Sequence, residues 1–252
     1  MDPSGERTHG RHGPEAPPPA HAEHAPADRV QARGLATAEG GLRFEAEPTI
    51  VSAGEMVDFA FTIVGPDGHP VTSFEELHER RMHLILVRRD LTGFQHLHPD
   101  MSEDGTWRTN LVLPTGGAWR AFADLATGGV PSTLGLDVLV EGDFRPEPLP
   151  EATTTAEVAG DVVSVAATDG GSHLRFDVTR EGRRVDVEPY LGAGGHLVVL
   201  RWGDLAFLHV HPVSEEDIAF EVSYPAPGTY RLFLQYSVGG VVRTAAFTIA
   251  AG

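Results

Sequence analysis

The chain contains no cysteine and no lysine. Without thiols it can build neither disulfides nor thiolate metal sites, and it has no cysteine nucleophile; the redox compartment is left open. Without lysine, arginine supplies every strong cation, and 19 basic groups face 36 acidic ones for a formal net charge of -17. The arginines form no basic stripe, so a polyanion meets net repulsion and nucleic acid is not an expected partner. Long apolar runs are also missing. Nothing approaches the roughly 18 residues that a membrane span needs, and the first part of the chain lacks the apolar core of an export signal. The expectation is a soluble chain with no transmembrane segment. Helical periodicity is confined to one short stretch near Phe74 to Arg80.

In place of helices the chain has strand grammar. Residues 1–40 are rich in Pro, Gly, Ala and His, with Pro17-Pro18-Pro19 and no hydrophobic period, so a disordered arm is expected there. From 41 to 143, alternating segments such as Met56-Val57-Asp58-Phe59-Ala60-Phe61-Thr62-Ile63 are separated by turn signals, among them Gly65-Pro66-Asp67-Gly68. Residues 144–156 carry Pro146, Pro148, Pro150 and three consecutive threonines, the composition of an extended linker. A second strand-rich unit runs from 157 to 252, with Arg180-Glu181-Gly182-Arg183 and Gly239-Gly240 as hairpin turns. Hydrophobic residues make up 41% of the chain, enough for two cores. The expected fold class is all-β, as two tandem sandwiches.

Both units place three histidines at the same intervals. His83, His96 and His98 are spaced thirteen and then two, and so are His196, His209 and His211. Across the windows Met82 to Pro99 and Gly195 to Pro212, seven of eighteen positions are identical, all three histidines included. Gly117-Ala118-Trp119-Arg120-Ala121-Phe122 also resembles Gly228-Thr229-Tyr230-Arg231-Leu232-Phe233, which indicates an internal duplication.

The spacing fits a metal site. With Gly203-Asp204 as a two-residue turn, Trp202 pairs with Leu205 and His196 comes opposite His211; with Asp90-Leu91 as the turn, His83 comes opposite His98. Opposed residues share a sheet face with β-carbons roughly 4.5 to 5.5 Å apart, and a residue two positions along remains within diagonal reach. Three imidazoles therefore converge in each unit, beyond an apolar ladder of Ile85, Val87 and Phe94, or Val198, Leu200 and Phe207. Neutral imidazole suits copper(II) or zinc, and Met82 should point to the other face from His83. His78 and Asp124 are candidate further ligands; their counterparts by the repeat offset are Leu191 and Gln235. On the arm, His9, His12, His21 and His24 offer weak metal capture.

The segments His83-Leu84-Ile85, Arg88 through His96-Leu97-His98-Pro99, Gly105-Thr106-Trp107 and Pro114 through Asp124 resemble bacterial cell-envelope proteins described as heavy-metal-binding or YtkA-like. The resemblance covers both units from about Gly41 onward. It implies immunoglobulin-like or cupredoxin-like sandwiches, an extracytoplasmic location and a role in handling copper or another heavy metal.

Three functions are compatible with these residues. The first is non-enzymatic metal binding, as a chaperone, buffer or resistance factor. The second is a structural or adhesion module whose histidines only pack and hydrogen-bond. The third is a cupin-type metalloenzyme, since Gly203-x5-His209-x-His211-x3-Glu215 copies the opening of that motif and His98-x4-Glu103 does so in part; the later histidine of the motif is missing from both units. The chain is therefore not expected to be an enzyme.

Overall fold

The computed structural model describes Met1 and residues 32–208, 210–214 and 217–251. Most of the expected arm, with its four histidines, lies outside the described residues. From residue 38 onward the chain is all-β, folded as two tandem immunoglobulin-like sandwiches. Among the described residues no helix is long and apolar enough to cross a membrane.

Repeat 1 comprises β1 (Ala38–Glu39), β2 (Leu42–Glu47), β3 (Ile50–Ser52), β4 (Met56–Val64), β5 (His83–Arg88), β6 (Gln95–Leu97), β7 (Asp100–Met101), β8 (Trp107–Val112), β9 (Gly117–Thr127) and β10 (Val130–Glu141). One sheet runs β1-β2-β4-β8-β7 and the other β3-β10-β9-β5-β6. Repeat 2 comprises β11 (Thr155–Val158), β12 (Asp161–Thr168), β13 (His173–Arg180), β14 (Arg183–Arg184), β15 (His196–Arg201), β16 (Phe207–Leu208), β17 (Val210–Pro212), β18 (Ala219–Val222), β19 (Gly228–Val238) and β20 (Val241–Ala251). Its sheets run β11-β12-β13-β18-β17 and β16-β15-β19-β20. The order β6-β5-β9-β10 reappears as β16-β15-β19-β20, so the duplication read from the sequence extends to the strand topology.

Alternation explains each core. Phe59, Phe61 and Ile63 of β4 turn inward with Leu84 and Leu86 of β5 to fill repeat 1, while Val163, Val165, Leu197 and Val199 do the same in repeat 2. Equivalent corners fix where β9 and β19 begin. Trp119 Nε1 donates to Thr115 O at 3.0 Å, and Tyr230 Oη donates to Ala226 O at 2.5 Å. The second bond matches the tyrosine corner of such sandwiches. Gly93 lies against the Trp119 ring with φ of 68°, and a Cβ there would stand 2.2 Å from the indole, so no other residue type fits that turn.

The other faces of β5 and β15 are also apolar, and they cover each other. Ile85, Val87, Leu91 and Phe122 of repeat 1 pack with Val198, Leu200, Leu205, Phe207 and Phe233 of repeat 2 in a separate core. Phe94 stacks on Phe233 at 4.2 Å, and Phe207 meets Phe122 at 5.5 Å. Because Phe94 corresponds to Phe207 and Phe122 to Phe233, these contacts are related by a local two-fold, as in an isologous dimer interface. The ladders expected to end openly in each unit instead form this seam.

Connecting segments reinforce it. The Arg88 guanidinium, nearly fully buried, holds Asp90 through two bonds and also donates to Arg145 O, while the Glu147 amide donates to Asp90. Leu149 packs into the seam. The expected linker is thus extended but docked. Before β1, Arg33 exchanges backbone bonds with Phe207, and Arg120 Nη2 donates to Gly34 O and Leu35 O.

The short helix expected near Phe74 to Arg80 is not formed. Glu75 bridges to Ala126, and Leu77 and Arg80 exchange backbone bonds around His78 and Glu79, whose φ values are 48° and 63°. Two positive φ values in the centre make this a tight hairpin turn rather than a helical one.

Phe122→Ala should cost about 3 to 5 kcal/mol, as expected for emptying a buried aromatic site, read from urea unfolding of the whole chain. A loss below about 1 kcal/mol would show that the seam does not hold the repeats.

Candidate metal centre

Strand register brings three histidines of repeat 1 together. Leu84 pairs with Leu97 and Ile85 with His96, the register expected from the sequence, so continuing the ladder by one step sets His98 across from His83. All three side chains stand on the seam face, where it ends. Their nearest ligand atoms lie within 4.8 Å of one another. Ring centroids are 5.1 Å apart for His83 and His96, 5.1 Å for His83 and His98, and 4.6 Å for His96 and His98.

Among the described residues, repeat 2 contributes a histidine to this same place. Val199 pairs with Leu208 and Leu200 with Phe207, again the expected register. It directs His196 at the seam, 5.3 Å from His83 and 4.8 Å from His96 by ring centroid. His211 departs from the expectation. β17 pairs with β18 in the opposite sheet, setting the exposed His211 opposite Glu221. In repeat 1 the same change of sheet occurs only after His98, at β7. His209 and Glu215 lie outside the described residues. Among the described residues, His83, His96 and His98 of repeat 1 and His196 of repeat 2 thus meet in one cluster.

His78 stands at its rim on the Leu77–Arg80 turn, 5.5 Å from His196 and 6.1 Å from His83 by centroid. Asp124 is opposite His83 on β9, buried, and accepts a bond from Thr133 Oγ1 at 2.6 Å. It is outside the close group of three. Glu103, the cupin-like acid, is exposed in the turn between β7 and β8.

A chain of contacts crosses the cluster. His83 Nε2 meets Leu77 O at 2.8 Å, His83 Nδ1 meets His96 Nε2 at 2.9 Å, and His96 Nδ1 meets Gln235 Oε1 at 2.6 Å. Gln235 belongs to repeat 2, opposite His196 in β19. The part that Leu77 and Gln235 play here is invisible in residue order, because the first acts through its backbone and the second only once the repeats have docked. His98 Nε2 is buried with no hydrogen-bond partner among the described residues.

Burial sets the charge state. Desolvation, with the neighbouring His83, lowers His96 to about 3 and His98 to about 4. Desolvation also lowers His83, where the bond to Leu77 opposes it, and His78, where Asp124 opposes it. His196 is held well below the usual imidazole range by burial and by the rings around it. His211 is near enough to depress His78 electrostatically. Asp124 is raised by burial, against the effects of Thr133, Arg33 and His78. At neutral pH the cluster is a set of uncharged imidazoles.

Residues 36–142 and 153–252 match the model of a domain of unknown function, DUF8832, and the chain belongs to that family. No curated protein matches it. Similar solved structures include Salmonella alpha-2-macroglobulin reacted with methylamine, with 16% identity over 88% of this chain and 15% of that one, at a TM-score of 0.32. The Escherichia coli adhesin FdeC shares 13% identity over 89% of this chain and 66% of its own, at 0.30. The Yersinia pseudotuberculosis adhesin InvE shares 12% over 83% and 58%, at 0.26. The chain spans at most 66% of these three proteins.

The cluster makes the metal-free fold sensitive to mild acid. Folded-state pKa values lie below 6.5 for five rings, so as pH falls through that value the unfolded chain takes up protons that the folded chain refuses. The stability is whole above about pH 7 and is lost progressively toward pH 4, with Asp124 alone acting in the opposite sense. Thermal unfolding in EDTA should show the melting temperature falling from about pH 7.5 to about pH 5; a constant or rising value would contradict the buried neutral cluster.

Proposed function

We propose that this DUF8832 chain holds a divalent transition-metal ion, copper or zinc, on His83, His96 and His98. It acts without catalysing a reaction, as a metal chaperone, buffer or resistance factor of the cell envelope. The envelope placement comes from the resemblance of the His-Leu-His-Pro segment and its surroundings.

The strongest support is a shortage of protons. The outer nitrogens of His83 and His96 both face oxygens, Leu77 O and Gln235 Oε1, so each neutral ring must donate its single N–H outward. Two lone pairs then confront each other across the 2.9 Å gap between His83 Nδ1 and His96 Nε2. A proton in that gap would leave a buried cation, which desolvation opposes. A metal ion drawing both lone pairs removes the conflict, and outward donation to a carbonyl is how ligating histidines are oriented and made better donors. The buried, unpartnered His98 Nε2 adds a third lone pair or an orphan N–H; left unmade, its bond costs roughly 1 to 3 kcal/mol.

The donor set suits the choice of ion. Neutral imidazoles favour zinc or copper(II), and Met82, whose sulfur could have selected copper(I), is packed in the core of repeat 1. A cleft of about 390 Å³ beside His98, lined by Glu76, Glu79 and Asp100 together with Arg80 and Arg81, opens next to the site.

One observation favours a second reading, a structural or adhesion module with no metal. If the Gln235 amide is turned to donate, its N–H satisfies His96 Nδ1, His96 Nε2 donates to His83, and the chain of contacts closes with neutral rings only if His83 Nε2 donates to Leu77. The histidines are then packing groups at the end of the seam.

Elemental analysis and zinc titration separate the two. The purified chain should take up zinc, and His96→Ala should weaken binding at least about 100-fold. Uptake should also raise the melting temperature by mass action. Unchanged affinity in His96→Ala, together with a melting temperature indifferent to chelator, would leave the structural module.

A further inference from the structure

We infer that the site is a closed, tetrahedral four-imidazole centre completed across the repeat boundary, with His196 as its fourth ligand and Gln235 as the residue that fixes the orientation of His96. The inference rests on the reading that His83, His96 and His98 bind metal, and adds to it where the fourth ligand comes from and which geometry the ion must accept.

Ring spacing is the decisive observation. A tetrahedral ion about 2.05 Å from each nitrogen holds imidazole centroids about 5.2 Å apart, since each centroid lies about 3.2 Å from the ion. Among His83, His96, His98 and His196, five of the six ring pairs have centroids 4.6 to 5.3 Å apart. A square-planar ion requires two trans pairs at about 6.4 Å, and only one pair remains. His196 meets His83 and His96 at 5.3 and 4.8 Å by ring centroid, while its nitrogens stand outside the group of three whose ligand atoms lie within 4.8 Å of one another, so its ring has to turn to reach the ion. His78, at 6.1 Å from His83, sits farther out.

Repeat 2 is built to present this ring. His196 is the pseudo-symmetric equivalent of His83, and Gln235 lies directly opposite it on β19. Gln235 spends its Oε1 on His96 of the other repeat. One face of repeat 2 therefore brings both a ligand and the acceptor that orients a ligand of repeat 1.

The chemistry is narrowed in two ways. Four protein donors leave no coordination position for water or substrate, which is the arrangement of sites that hold an ion rather than use it. A tetrahedral set of neutral nitrogens suits a filled-shell ion such as zinc better than copper(II) or nickel(II), which favour tetragonal coordination.

Cobalt(II) serves as the probe, because its visible bands are intense in tetrahedral coordination and change when an exogenous anion binds. Cobalt-loaded wild-type chain should show intense tetrahedral bands that azide leaves unchanged. His196→Ala should still take up cobalt on three histidines, with zinc affinity at least about tenfold weaker and a spectrum that responds to azide. Gln235→Leu, which keeps the seam apolar, should also weaken zinc binding about tenfold or more, and circular dichroism of both variants reports their folding. A wild-type spectrum that responds to azide, or wild-type zinc affinity in both variants, overturns the four-imidazole centre while leaving the three-histidine site standing. No cobalt or zinc uptake by the wild type removes both.

Discussion

Because β5 and β15 are apolar on both faces, each sandwich has a second hydrophobic surface that its own core does not cover. Those surfaces are hidden only against each other. Burying one large apolar side chain is worth roughly 1.5 to 3 kcal/mol, and the seam gathers nine buried ones. The histidines depend on this docking. His83 and His196 occupy equivalent strand positions and face each other where the seam ends, so the local two-fold passes between them. Separating the repeats would take away a ring and an amide from the cluster at once.

The two halves of the cluster are not copies. The chain of repeat 1 stays beside β5 through His98 before changing sheets, whereas that of repeat 2 changes before His211. At the rim, repeat 1 has His78 and Glu79 in a turn with both φ values positive; repeat 2 has Leu191 and Gly192 there, at 56° and 79°. Glycine adopts that conformation without strain, and Glu79 does not. Repeat 1 therefore keeps a strained turn that puts Leu77 O on His83 and His78 beside it. On the facing strands, Asp124 stands where Gln235 stands in the other repeat. Duplication supplied a symmetric frame, and among the described residues the close three-histidine group lies on one side of it.

Much of this is legible in residue order. Alternation marks the strands, the paired glycines at 239 and 240 mark a hairpin, and the equal histidine spacing sets a register that both β5·β6 and β15·β16 adopt. The joining of His196 to the histidines of repeat 1 is not legible from spacing alone. Its signal lies in His83-Leu84-Ile85-Leu86-Val87 and His196-Leu197-Val198-Val199-Leu200, continuous apolar runs that mark strands buried on both faces. Taken as half-buried strands, they leave one face free to end in an open mouth, which is the arrangement the docked repeats replace. The Phe74 to Arg80 stretch departs from its helical pattern for a different reason, since long-range pairing of Glu75 with Ala126 overrides a weak local preference.

The seam also bears on how the chain is made. A sandwich emerging from the ribosome presents Ile85, Val87, Phe94 and Phe122 to solvent until its counterpart has been synthesised, which takes on the order of ten seconds at ordinary translation rates. During that interval the stripe can pair with another nascent chain as readily as with its own second half, because the interface is self-complementary. The docked connecting segment counters this by keeping the correct partner at high effective concentration as soon as it folds.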